Sequence, residues 1–189
     1  MNHFERWLAE GDLTSDGRAD EIAAVVLQKP EEIEALIACL DSENPNVKGH
    51  AADALEKIGR HKPEIFLPFI HRLFKATEED PVDMVQWHLA MLLGYLALFE
   101  ELVEPILAAL TQDLNKGGGF TKSWAMVSLC VIARLYPDHQ ARILGEISKY
   151  KTSSMPAVRK RAENVIEILV EDRPLPEDWV KCPAIQAKL

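Results

Sequence analysis

Long apolar runs, paired cysteines and metal-ligand spacings are all missing from this sequence of 189 residues. Its longest apolar stretch, Leu89 to Phe99, is eleven residues with Gly94 and Tyr95 inside it. Crossing a bilayer takes about 20. The N-terminal residues carry mixed charge and no apolar signal core, so a soluble, cytoplasmic protein with no membrane partner is expected. Cys39, Cys130 and Cys182 lie far apart with no Cys-x-x-Cys, which fits a reducing compartment and argues against a disulfide framework. Cys39 and Cys130 fall within apolar helical patterns and are expected to be buried, inert thiols.

Catalytic signatures are equally scarce. There is no His-Glu-x-x-His helix, no Cys/His cluster, no Gly-x-Ser-x-Gly elbow and no dinucleotide fingerprint. The expectation is therefore no catalytic residue, no metal and no cofactor. No segment sustains period-two alternation, so no strand is expected.

What the sequence does have is an apolar fraction of 48% with 27% charged residues, ordinary for a folded domain, and a net charge of −9 that is unevenly spread. Residues 1–104 hold 9 basic and 21 acidic side chains, whereas residues 105–189 hold 12 and 9. Between Lys116 and Arg161 nine basic residues face only Asp138 and Glu146. Such asymmetry bears on partners rather than on fold.

A repeat runs through the chain. Val47, His50, Ala51, Leu55 and Ile58 recur as Val85, His88, Leu89, Leu93 and Leu96 after a shift of 38. They recur as Thr121, Trp124, Ala125, Leu129 and Ile132 after a further 36, and as Val158, Arg161, Ala162, Ile166 and Leu169 after a further 37. This spacing describes an amphipathic helix stacked on its own copies. A second helical pattern precedes each copy, over Glu31 to Leu40, Pro63 to Ala76, Glu101 to Asn115 and Asp138 to Tyr150. Prolines and acids mark the starts of these helices, where a missing N–H costs little and the dipole favours negative charge. The prediction is an all-α domain of about five helical hairpins, approximately 2–28, 31–60, 63–98, 101–135 and 138–171, with a proline-containing capping tail over 172–189.

Prolines inside first helices (Pro68, Pro105), polar turns (Asp41 to Pro45, Glu79 to Pro81) and Val-Lys or Val-Arg opening second helices (Val47-Lys48, Val158-Arg159) resemble the HEAT repeat, over about residues 16 to 171. Gln86 and Thr121 depart from that pattern. Val-Gln-Trp-His-Leu-Ala over 85–90 is similar to a group of prokaryotic HEAT-repeat proteins of unassigned function. The resemblance implies a right-handed α-α superhelix, a solenoid whose second helices line a concave face. HEAT-type deoxyhypusine hydroxylases hold iron through His-Glu pairs, and none of the six histidines here precedes a glutamate.

Two sets of surface candidates follow. Trp87, His88, Met91, Trp124 and Arg161 share ladder positions or a flank of the second helices and are candidates for partner contact; the alternative for the tryptophans is packing between repeats. Lys122, Arg142, Lys149, Lys151, Arg159 and Lys160 are candidates for anion or nucleic-acid binding, the alternative being a solvated basic face. Lys116-Gly-Gly-Gly119 ahead of Lys122 is either a flexible turn or an anion cradle. The reading these features favour is a non-catalytic scaffold that binds a partner peptide or helix on the concave face. The rival is a nucleic-acid-binding protein similar to HEAT-like DNA glycosylases, using the basic C-terminal half, although net charge −9 disfavours it.

Overall fold

The computed structural model describes residues 3–189; residues 1 and 2, where the first hairpin was expected to begin, lie outside it. Among the described residues every regular element is helical and no strand is present. No helix among the described residues is long and apolar enough to cross a membrane. The chain divides into two compact units, residues 1–92 and 93–189.

In the first unit α1 (His3–Leu8), α2 (Ala19–Gln28) and α3 (Ile33–Ala38) pack against a central helix, α4 (Pro45–Gly59), and α5 (Ile70–Glu79) follows. Helix α4 starts where the sequence tells it to. The Asn44 side chain accepts the Asn46 N–H at 2.9 Å, and Pro45 occupies the first turn. Val47, Ala51, Ala52, Ala54, Leu55 and Ile58 are all buried, so α4 is enclosed on most of its circumference. Small alanines on such a helix let its neighbours approach closely.

Proline decides how the preceding helices form. Pro63 to Ala76, expected as one helix, is a 3-10 segment over Pro63–Phe69 followed by α5. Pro68 supplies no N–H for the α ladder and crowds the preceding turn, so α geometry starts only at Ile70. Pro105 is harmless because it lies in the first turn of α7.

The loop from Ala9 to Arg18 is stapled by His50. One ring nitrogen lies 2.7 Å from the Leu8 carbonyl oxygen and the other 3.0 Å from those of Asp12 and Ser15. Gly17, at φ +51°, passes so close that a Cβ there would come within 2.8 Å of this ring. The position therefore needs glycine both for its backbone angle and for its space.

Helix α6 (Asp83–Leu96) runs from the first unit into the second. The second unit continues with α7 (Val103–Lys116), α8 (Gly119–Leu135), α9 (Gln140–Ser148) and α10 (Pro156–Val170). Helix α8 is its centre and contacts α7, α9 and α10. Its residues from Ala125 to Ala133 are all buried. Where α6 and α8 meet, Gly94 leaves no room for a side chain: a Cβ would lie 2.5 Å from the Ser128 hydroxyl.

Three of the four copies of the inward stripe sit where the repeat put them, but Ile166 does not. In α10 the buried positions are Val158, Ala162, Val165, Ile168 and Leu169, and Ile166 is half-exposed. Seven residues rather than eight separate Val158 from the next large inward side chain, which keeps the stripe on one face of a straight helix. The tail packs rather than trailing extended. Trp179, Val180, Cys182 and Ile185 are buried, and a short helix, α11 (Pro183–Gln186), closes it.

Lys57, which its place on the outer side of α4 suggests is a free surface residue, is held instead by three carboxylates. Its ammonium lies 2.8 Å from Asp20, 3.1 Å from Asp53 and 3.5 Å from Asp16. Asp53 is buried and also lies 3.3 Å from His88. Lys57→Ala is therefore expected to cost about 1–3 kcal/mol, because buried Asp53 loses a charged partner, rather than the near-zero cost of an exposed site. Leu93→Ala should cost about 2–5 kcal/mol as a large-to-small change in a packed interior. Denaturant melts of both variants check the two values, and an indifferent Lys57→Ala would show that the network does not hold in solution.

Candidate partner-binding surface

The first group of candidates separates on inspection of burial. His88 and Met91 are each 3% exposed and offer no surface to a partner. His88 is used internally: Nδ1 lies 2.7 Å from the Met84 carbonyl oxygen, Nε2 faces Asp53, and the ring stacks on Trp87 with centroids 3.4 Å apart. Trp87 is half-buried against that ring and belongs, like His88 and Met91, to the first unit.

Trp124 and Arg161 come together in the second unit. They stand on the adjacent helices α8 and α10, with the guanidinium carbon 5.9 Å from the Trp124 ring and 4.5 Å from the Trp179 ring. Lys181, from the tail, places its ammonium 5.5 Å over Trp124. Phe120, one helical turn before Trp124, is 67% exposed. Met155, whose sulfur is the nearest atom to Gly119 at the start of α8, is 44% exposed. Two cations thus stand over a half-buried indole, and two exposed apolar side chains lie at the start of the same helix.

Arg161 is unusual among the arginines. Arg18, Arg60, Arg72, Arg134, Arg142 and Arg173 each reach a carboxylate, and Arg159 donates to the Ser153 carbonyl oxygen at 2.8 Å. Arg161 is half-buried yet makes no hydrogen bond or ion pair among the described residues; its contacts are the two indole faces. Burial lowers its pKa from the ordinary value, with a partial opposing effect from the charge of Asp178. Desolvating a guanidinium without giving its N–H groups an acceptor is costly, so such a group marks a surface suited to an incoming acceptor.

The basic group, by contrast, is mostly occupied. Arg142 pairs with Glu104 at 2.8 Å, Lys149 with Glu146 at 2.7 Å, and Lys160 lies 3.9 Å from Glu163. Lys122 bends back to the Leu114 and Asn115 carbonyl oxygens at the end of α7, and Tyr150 donates to the same Leu114 oxygen at 2.6 Å. These two side chains cap a helix C-terminus, so the lysine does not complete an anion cradle at the glycine run. Lys151 stands exposed. Counted over the second unit, Glu100, Glu101 and Glu104 join the balance, which becomes twelve basic against twelve acidic. The first unit holds nine against eighteen. The basic half read from the sequence is not a basic unit.

Reactive groups elsewhere are muted by burial. Burial pushes the Cys130 thiol up to about 12, and burial with Glu5 nearby does the same for Cys39. All three cysteines are buried thiols. Among the described residues no group of three or more His, Cys, Asp or Glu side chains is placed to hold a metal. The sequence reading missed Lys181, Phe120 and Met155, because only folding carries the tail and the start of α10 to the α8 face. It also missed Asp113, and here a signal was present: Asp113 continues the inward stripe Val103, Ile106, Leu107, Leu110 of α7.

Asp113 is 4% exposed, and its Oδ2 is buried without a hydrogen-bond partner. Burial raises its pKa from 3.8 to about 8. The folded chain thus holds this proton more tightly than the unfolded chain, and the stability associated with it is fully present below about pH 4 and lost as pH rises toward about 8. Asp113→Asn should remove that loss. Thermal melts from pH 5 to 9 are expected to show the variant gaining on the native chain as pH rises toward about 8, by at most about 1.4 kcal/mol per pH unit.

No family model matches the chain, and no curated protein matches it. Among solved structures it is similar to an engineered protein whose crystal structure came from the Northeast Structural Genomics Consortium, with a TM-score of 0.60 and 18% identity over 89% of this chain and 80% of that one. At that identity the likeness concerns the fold alone, and it agrees with the all-α architecture.

Proposed function

We propose that the chain is a non-catalytic protein-binding module of the HEAT-repeat type, working in the cytoplasm, and that it holds a segment of a partner protein against the α8–α10 face of its second unit. The observation that carries this reading is the association of Trp124, Arg161 and Lys181 with exposed Phe120 and Met155. Aromatic and arginine side chains are the commonest anchors of protein interfaces, and exposed apolar side chains around them supply area that excludes water. Buried thiols in place of disulfides are consistent with a reducing compartment.

The nucleic-acid reading draws less support. Binding a phosphate chain requires several unpaired cations in a row, whereas Arg142, Lys149 and Lys160 face glutamates and Lys122 caps a helix.

Affinity capture with the native chain, Trp124→Ala and the double reversal Lys160→Glu/Arg161→Glu tests the proposal, with Glu78→Ala, an exposed acid of α5, as control. A partner retained by the native chain and the control but lost from both site variants is expected, with helical content unchanged by circular dichroism. Retardation of single- or double-stranded DNA at low salt, abolished by the double reversal while protein capture persists, would transfer the assignment to nucleic acid.

A further inference from the structure

The α8–α10 face lacks one element that the rest of the molecule supplies wherever a guanidinium is taken out of water: an oxygen to receive it. Arg60 shows the usual solution, with Nε 2.9 Å and 3.0 Å from the two oxygens of buried Glu56. Arg161 has the burial without the acceptor. Asp178, the acid whose charge it feels, forms no ion pair with it. Lys181 beside it likewise stands over an indole face.

We propose that this pair of cations over Trp124 is a receptor for a carboxylate of an acidic peptide, with the adjoining Phe120 and Met155 taking a large apolar side chain next to that carboxylate. The inference rests on the protein-binding reading above and narrows it to a partner of stated chemistry.

The geometry favours a peptide over other anions. A planar guanidinium offers parallel N–H groups that match a carboxylate, and this one already stands 4.5 Å over the Trp179 ring and 5.9 Å from that of Trp124. The indole rings give a partly desolvated setting in which a charge-assisted bond is stronger than in open water. The site holds two cations, and Arg142, Lys149 and Lys160 elsewhere in the unit already face acids. That suits one or two carboxylates better than a polyphosphate chain. Exposed Phe120 and Met155 add apolar area, which gives a peptide an advantage over a small free anion such as acetate.

The test follows the indole N–H resonances of the four tryptophans in isotope-labelled full-length chain. The probes are a capped synthetic peptide carrying Glu-Phe-Glu and Glu-Leu-Glu, the same peptide with Gln for every Glu, and oligothymidylate. Saturable shifts of the Trp124 and Trp179 signals with the acidic peptide, absent with its Gln counterpart, are expected. Arg161→Gln should weaken binding about tenfold or more, as loss of a charge-assisted pair does. Exposed Lys181→Gln should weaken it in the same direction, and it serves as the second variant if Arg161→Gln disturbs folding. No shift with the acidic peptide, equal shifts with the Gln peptide, or tighter response to oligothymidylate would overturn the proposal. Partner capture that depends on Trp124 but ignores Arg161→Gln would leave the protein-binding reading standing and remove the carboxylate. Carboxylate binding combined with Trp124-independent capture would remove only the former.

Discussion

The structure depends on two helices being enclosed by their neighbours, α4 in the first unit and α8 in the second. Each is buried around most of its circumference. A helix in that position cannot satisfy its apolar side chains alone, and the shorter helices around it exist because they cover it. Short helices such as α3 and α5, each preceded by a proline-bearing 3-10 segment, would be marginal in isolation; packing against the core makes them persist.

Enclosure also governs the polar groups. Asp53, Glu56, His50, His88 and Asp113 all lie inside, and four of the five are matched by cations, carbonyls or one another. Their role is positional. His50 ties down the N-terminal loop, and Lys57 gathers acids from the same loop and from α2 onto α4. Asp113 is the exception, a buried acid kept protonated by its surroundings. The same logic in reverse identifies Arg161, half withdrawn from water and lacking the oxygen that the other half-buried arginines have. Where a polar group is desolvated without a partner, the molecule is either less stable than it needs to be or prepared for something outside it.

Much of the scaffold was legible in the amino-acid order. Apolar spacing of three and four residues, prolines at helix starts and the 36–38-residue recurrence are local properties, so the helices fall close to their expected positions. The departures are informative. Ile166 yields its place to Val165 because α10 buries a single stripe, whereas Leu55 and Leu129 lie on helices buried around most of their circumference. Lys57 turns from surface residue to hub because Asp16 and Asp20 reach it only once α2 packs on α4.

The candidate surface was legible only in part. Trp124 and Arg161 were identified by their common ladder position, and they do meet; His88, chosen by the same argument, and Met91, chosen for its flank beside Trp87, are interior. The sequence by itself determined helix identity, the inward stripe and the scarcity of catalytic motifs, because each depends on neighbours a few residues apart. Tertiary structure alone decided which charges are spent on internal partners and which stand over an indole without one. That distinction arises from contacts between residues dozens of positions apart, such as Glu104 with Arg142 and Trp124 with Lys181, and no local pattern encodes it.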